Sequence, residues 1–108
     1  MAKAEFLKDE MEFEAALGGE SVLVLDCTAS WCGPCRLVAP LMDKLSQEYG
    51  DRAKIAKIDI DSNKFVGTRF GLKSIPAVIF FQEGELKETL VGVKPYETFS
   101  ETLEGYLS

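Results

Sequence analysis

A continuous run of apolar residues, SVLVLDCTA at positions 21–29, constrains the fold of this chain more than any other segment. The run is too short for a typical helix and is bounded by turn-forming residues, which is typical of a strand buried on both faces. Such a strand belongs in the middle of a sheet that is covered on both sides. Asp26 is the one charged residue that interrupts it.

The other elements follow from the spacing of apolar residues along the chain. Residues 8–19 indicate a short helix, and a longer helix begins near Pro34 and ends at Gly50. Residues 53–61 predict a strand. Ser62 follows that strand and is expected to cap a short third helix.

The second half of the chain is rich in β-forming residues. Residues 76–92 form two such runs joined by a Glu-Gly turn, which is typical of an antiparallel hairpin. Residues 95–107 predict a closing helix with Pro95 in its first turn, and residues 4–7 predict a short extra strand. We therefore expect residues 1–108 to form a single α/β domain, a central mixed β-sheet flanked by helices on both faces.

Composition excludes several functions. The net charge of -6 and the absence of a Lys/Arg cluster argue against nucleic acid as a partner. No apolar run approaches the roughly 18 residues of a membrane helix, and the acidic start of the chain does not resemble a targeting segment. We therefore expect a cytoplasmic protein without a membrane partner.

Three cysteines and no histidine restrict the chemistry of the site. Without histidine, one Cys-x-x-Cys pair and an isolated Cys27 cannot complete a four-ligand zinc site, so neither a metal nor another cofactor is expected. We expect Cys27 to be a small buried core residue, with a regulatory thiol as the alternative. An odd number of cysteines in a chain without a targeting segment also does not indicate a disulfide framework.

Cys32 and Cys35 are therefore predicted to be a reactive pair. Cys32 precedes the long helix and is expected to be its N-cap, where the helix dipole favours a thiolate. A dipole contribution of roughly 0.3 to 2 kcal/mol corresponds to a decrease of about 0.2 to 1.5 units in pKa. Because Cys35 lies three residues further on, we expect Cys32 to attack a target disulfide and Cys35 to resolve the mixed disulfide.

Asp26 is predicted to have a raised pKa, because burial in an apolar strand disfavours its charged form. It can then accept the proton of Cys35, with Lys57 in the next strand as a neighbouring charge. The alternative is that Asp26 is a solvent-exposed residue at the end of its strand.

The motif WCGPC, followed by Pro40, SIPAV and GVKP, resembles the thioredoxin family over nearly the whole chain. This resemblance implies a thioredoxin fold and reversible dithiol–disulfide exchange with protein substrates. It also implies that Cys32 and Cys35 are the redox pair, Asp26 the buried acid and Lys57 its partner. It further implies a cis peptide bond before Pro76 and an apolar rim for substrates, formed by Trp31, Gly33, Pro34, Ile75, Pro76, Gly92 and Val93.

Cys27 and Thr28 depart from the family, which more often has aromatic residues at these positions, typically a Trp at the second. We therefore expect the packing beneath the site to differ.

The resemblance also predicts partners. These are disulfide-containing proteins and a thioredoxin reductase, either NADPH-flavin or ferredoxin dependent, and we expect the chain to be a monomer. Two other functions stay open. One is an oxidase or isomerase, although secreted forms usually have a histidine between the cysteines. The other is a non-catalytic module that binds partners through the rim around Trp31.

Overall fold

The computed structural model describes residues 3–108 of the chain. Its strands are β1 (Glu5–Leu7), β2 (Val22–Thr28), β3 (Lys54–Asp59), β4 (Ala77–Gln82) and β5 (Glu85–Val91). Its helices are α1 (Glu10–Gly19), α2 (Cys35–Tyr49), α3 (Phe65–Phe70) and α4 (Tyr96–Leu107). The predicted order of elements is confirmed, including the short first strand and the hairpin.

The strands form one mixed sheet in the order β1-β3-β2-β4-β5. β3 pairs in parallel with both β1 and β2, whereas β4 pairs antiparallel with β2 and β5. β2 therefore lies at the centre of the sheet, and every residue of β2 before Thr28 is buried. The α/β class is confirmed, and the burial predicted for residues 21–29 is confirmed for residues 22–27, whereas Ser21 is exposed and Thr28 is partly exposed.

Alternate residues of β2 enter two separate cores, one on each face of the sheet. Val22 and Val24 lie in the core that contains the buried residues of α2 and α4. Leu23, Leu25 and Cys27 lie in the other core, which contains the buried residues of α1 and α3. Asp26 has the parity of Val22 and Val24, so its side chain faces α2 and α4.

Helices α3 and α4 begin at residues other than those predicted. The N-cap of α3 is Lys64 and not Ser62. The backbone N–H of Ser62 instead donates to the Asp59 carboxylate, which holds this segment in a turn before the helix. Pro95 has an extended backbone and is the N-cap of α4, which begins one residue later than predicted. Within residues 3–108, no helix has the length and apolar character needed to cross a membrane.

Candidate active site

Cys32 and Cys35 are joined by a disulfide at the beginning of α2, with their Cα atoms 5.4 Å apart. The pair can therefore close on itself, as the spacing of three residues predicted. Both residues are buried in a small cluster with Ala29, and Ile60 and Ile75 pack against this cluster. The structure thus describes the oxidised state of the pair.

Cys32 is not the N-cap of α2, contrary to prediction. The N-cap is Pro34, which was expected in the first helical position, and the helix begins at Cys35. The first turn is closed by tight i to i+3 bonds, one of which joins the Leu37 N–H to the Pro34 carbonyl at 3.0 Å. Cys32 Sγ nevertheless accepts the N–H of Cys35 at 3.3 Å. The sulfur therefore meets a backbone donor at the positive end of the helix, where a thiolate is stabilised.

Cys32 is buried beside an exposed tryptophan. Only 4% of Cys32 is exposed, whereas the neighbouring Trp31 is 66% exposed. The indole of Trp31 donates from Nε1 to Asp61 Oδ2 at 2.7 Å, which holds the ring at the surface. A partner disulfide must therefore approach closely to reach the sulfur.

Several residues predicted for the apolar rim lie around the disulfide. Trp31 and Ile75 line one groove with a volume of about 260 Å³. Gly33, Pro34 and Val93 are exposed, and Gly92 is partly exposed. The Gly92 N–H donates to the Pro76 carbonyl at 2.8 Å, which brings the end of β5 beside the proline.

The peptide bond between Ile75 and Pro76 is cis, as the resemblance implied. Pro76 is buried and Ile75 is partly buried. The ladders of β4 with β2 and with β5 begin at Ala77, so Ile75 lies just outside the sheet. An extended peptide can pair with main-chain groups in such a position.

Asp26 is a buried acid, with 1% of its surface exposed, and the solvent-exposed alternative is wrong. Neither of its carboxyl oxygens has a hydrogen-bond partner within the described part of the chain. Burial raises the pKa of Asp26 to about 7, an effect that Lys57 partly opposes and Asp43 reinforces. The predicted increase in pKa is therefore confirmed.

Lys57 lies opposite Asp26 in the register of β2 and β3 but forms its ion pair elsewhere. Its Nζ donates to Asp43 Oδ1 of α2 at 3.0 Å. Sequence analysis missed Asp43, although the residue follows the fully buried Met42 in the helix that covers this face. The position of a carboxylate next to a buried residue of that helix could have identified Asp43 from the sequence.

The two unusual residues after Asp26 have different environments. Cys27 is fully buried, which confirms its prediction as a core residue, and burial raises the pKa of its thiol above the usual range. Thr28 lines a cavity of about 240 Å³ together with Phe6 and Cys35. Among residues 3–108, no three Cys, Asp or Glu side chains are placed to hold a metal ion.

Comparisons with known proteins agree with this geometry. Residues 4–105 match the family model described as Thioredoxin. The chain is 36% identical over 107 residues to "Thioredoxin 1" of Synechococcus elongatus, covering 99% of this chain and 100% of that protein. It is 37% identical over 105 residues to "Thioredoxin M-type, chloroplastic" of Pisum sativum, covering 97% of this chain but 61% of the pea protein.

A solved structure with the same fold is a mutant thioredoxin from Halobacterium salinarum. The two chains superpose with a TM-score of 0.90 at 25% sequence identity, covering 100% of this chain and 96% of the other.

Proposed function

The chain belongs to the thioredoxin family of thiol–disulfide oxidoreductases, and on this premise we propose that Cys32 and Cys35 reduce disulfide bonds in other proteins. The observation that carries the proposal is the hydrogen bond from the Cys35 N–H to Cys32 Sγ at the beginning of α2. It favours a thiolate at Cys32, and the thiolate is the form that attacks disulfides.

The reaction has two steps. The Cys32 thiolate attacks one sulfur of the substrate disulfide, forming a mixed disulfide and releasing the first substrate thiolate. Cys35 then loses its proton and attacks Cys32 Sγ, which closes the Cys32–Cys35 disulfide and releases the second thiolate. Two electrons pass from the protein dithiol to the substrate, and the two substrate thiolates take up protons from water.

Asp26 is the acceptor of the Cys35 proton in this proposal, acting directly or through a water. Its side chain is on the face of the sheet that α2 covers, and Cys35 is the first residue of α2. With a pKa of about 7, a substantial fraction of Asp26 is ionised at neutral pH and able to accept a proton. Lys57 acts on this carboxyl through its charge.

Substrates dock on the apolar rim formed by Trp31, Gly33, Pro34, Ile75, Pro76, Gly92 and Val93. Support comes from the exposure of Trp31, which directly precedes Cys32 in the chain, and from the exposure of Val93. Main-chain groups of Ile75 pair with an extended segment of the substrate, which carries its disulfide to Cys32.

The proposal includes a reductase that returns the pair to its dithiol form, of either the NADPH-flavin or the ferredoxin-dependent type. We also propose that the protein is a monomer with a single domain. It acts in the cytoplasm, because a dithiol reductant needs a reducing compartment. Insulin reduction with each type of reductase supplied in turn identifies the electron donor.

A trapping experiment tests the proposed function. Replacing Cys35→Ser removes the resolving thiol, so Cys32 should remain bonded to insulin in a complex that survives SDS and is released by dithiothreitol. Cys32→Ser is the matched control and should trap nothing. If Cys35→Ser binds partners without forming a covalent complex, the chain is a docking module and the proposal fails.

A further inference from the structure

Lys57 is the strand neighbour of Asp26, but its ammonium is bonded to Asp43. β3 runs between β1 and β2, and Lys57 is in register with Phe6 on one side and Asp26 on the other. Lys57 Nζ donates to Asp43 Oδ1 at 3.0 Å and lies 5.8 Å from the centre of the Phe6 ring. The ammonium is therefore turned toward the β1 side of the sheet.

Asp43 is fixed by a second contact. The backbone N–H of Ala4 donates to the same Oδ1 atom at 3.1 Å. The side chain of Asp43 is 28% exposed and that of Lys57 is 10% exposed, so water screens this pair less than it screens a pair on the open surface. Hydrogen bonds between charged groups are also stronger than neutral ones. The chain before β1 and helix α2 together therefore set where the ammonium lies.

Asp26 is left without a bonded counter-charge. Its two carboxyl oxygens have no hydrogen-bond partner within residues 3–108. The charged groups that bear on it are Lys57 from β3 and Asp43 from α2, whereas β4 and α4 contribute apolar side chains to this core. A direct bond from Lys57 would hold Asp26 ionised.

We propose that Asp43 is a positioning residue, which binds Lys57 on the β1 side of the sheet and so withholds that ammonium from Asp26. Asp26 is then free to gain and lose a proton beneath α2. This inference rests on the proposed function of Asp26 as the acceptor of the Cys35 proton. Asp43 does not touch the reacting atoms, and its effect passes through Lys57.

Titration of the Asp26 carboxyl carbon by NMR in the oxidised protein tests this arrangement. In Asp43→Asn, Lys57 is free to pair with Asp26, so the pKa of Asp26 should fall by about one unit or more, a roughly tenfold change in proton affinity. Glu48→Gln removes the same charge from the same helix, where Glu48 bonds Tyr96, and should leave Asp26 unchanged. An unchanged Asp26 titration in Asp43→Asn contradicts the proposal.

A double-mutant cycle separates positioning from the direct field of Asp43. If Asp43 acts through Lys57, Asp43→Asn should lower the pKa of Asp26 less than half as much in a Lys57→Met background as in the wild type. Equal shifts in the two backgrounds would overturn the proposal. Asp43→Glu retains the carboxylate and should keep the wild-type titration. Asp43→Ser, which also lacks the charge, replaces the Asn variant if that variant folds poorly.

The titration is independent of the proposed catalytic role of Asp26. If Asp26→Asn reduced insulin at the wild-type rate over the whole pH range, the role of Asp26 in proton transfer would fail. The NMR result would still show whether Asp43 controls the position of Lys57.

Discussion

At the scale of single residues, burial determines how the titratable side chains near the disulfide behave. Asp26 and Cys27 are neighbours in β2, and both are buried, on opposite faces of the sheet. Burial disfavours their charged forms and raises the pKa of each. For Asp26 the result is an acid that titrates near neutral pH. For Cys27 it is a thiol whose charged form is disfavoured.

The buried charge of Asp26 should make stability depend on pH. The pKa of Asp26 is about 7 in the folded protein against 3.8 for the free side chain. Well below pH 3.8 both states are protonated. As the pH rises toward 7 the unfolded state loses its proton first, so stability falls, and above pH 7 the full cost is present. Asp26→Asn removes this cost.

The size of this effect is roughly 4 kcal/mol, since each unit of pKa difference corresponds to 1.36 kcal/mol. The free energy of unfolding of Asp26→Asn, relative to the oxidised wild type, should therefore rise by about that amount between pH 3 and pH 8. Urea unfolding at several pH values measures it. A constant difference between the two proteins would contradict a buried acid with a raised pKa.

The thiol of Cys27 should be unreactive in the folded protein. After reduction, a thiol reagent should label Cys32 without denaturant, because its Sγ meets the Cys35 N–H at the beginning of α2. Cys27 should be labelled only after unfolding, because it is fully buried and its pKa is raised. Mass spectrometry of labelled peptides identifies each site. Rapid labelling of Cys27 in the native state would favour the regulatory alternative.

At the scale of elements, periodicity predicted the helices and strands but not where three of the helices begin. The positions of β2 and α2 could be predicted because the apolar pattern of each lies within one continuous segment of the sequence. The caps of α2 and α3 depend on details of the preceding turns. Before α3, for example, the Asp59 carboxylate accepts a hydrogen bond from the Ser62 N–H, and Ser62 does not act as the cap.

Helix α1 is attached to the sheet mainly through one residue. Phe13 is its buried side chain, and its ring lies 5.6 to 5.8 Å from those of Phe65, Phe70 and Phe81. Phe13→Ala should therefore lower the free energy of unfolding by about 3 to 5 kcal/mol. The exposed Met11 on the same helix is the control, and Met11→Ala should change stability by less than about 0.5 kcal/mol. Urea unfolding that shows similar losses for both variants would contradict this attachment.

At the scale of the whole molecule, the active site combines local and distant information. The redox pair and the buried acid could be predicted because WCGPC and the interrupted strand are each contained in a short segment. The bond between Lys57 and Asp43 could not, since the two residues are 14 positions apart and meet only when α2 packs on β3. Neither the spacing of apolar residues nor a sequence motif predicts that contact.

The exposed rim should determine how well the molecule recognises protein substrates. Trp31→Ala should raise KM for insulin several-fold while changing the reaction with a small disulfide much less, because a small disulfide does not need the docking surface. Met11→Ala removes an exposed apolar side chain from α1, outside the site, and should leave both reactions unchanged. Equal losses with the two substrates in Trp31→Ala would show that Trp31 does not act through docking.

The rate of Cys32 alkylation as a function of pH tests the central claim most directly. In the reduced protein, the rate of modification by iodoacetamide, resolved by mass spectrometry, reports the fraction of Cys32 present as thiolate. Because Cys32 Sγ meets the N–H of Cys35 at the beginning of α2, the midpoint should lie at or below about 7.5, against about 8.5 for free cysteine. A midpoint equal to that of cysteine in an unstructured peptide would contradict the account.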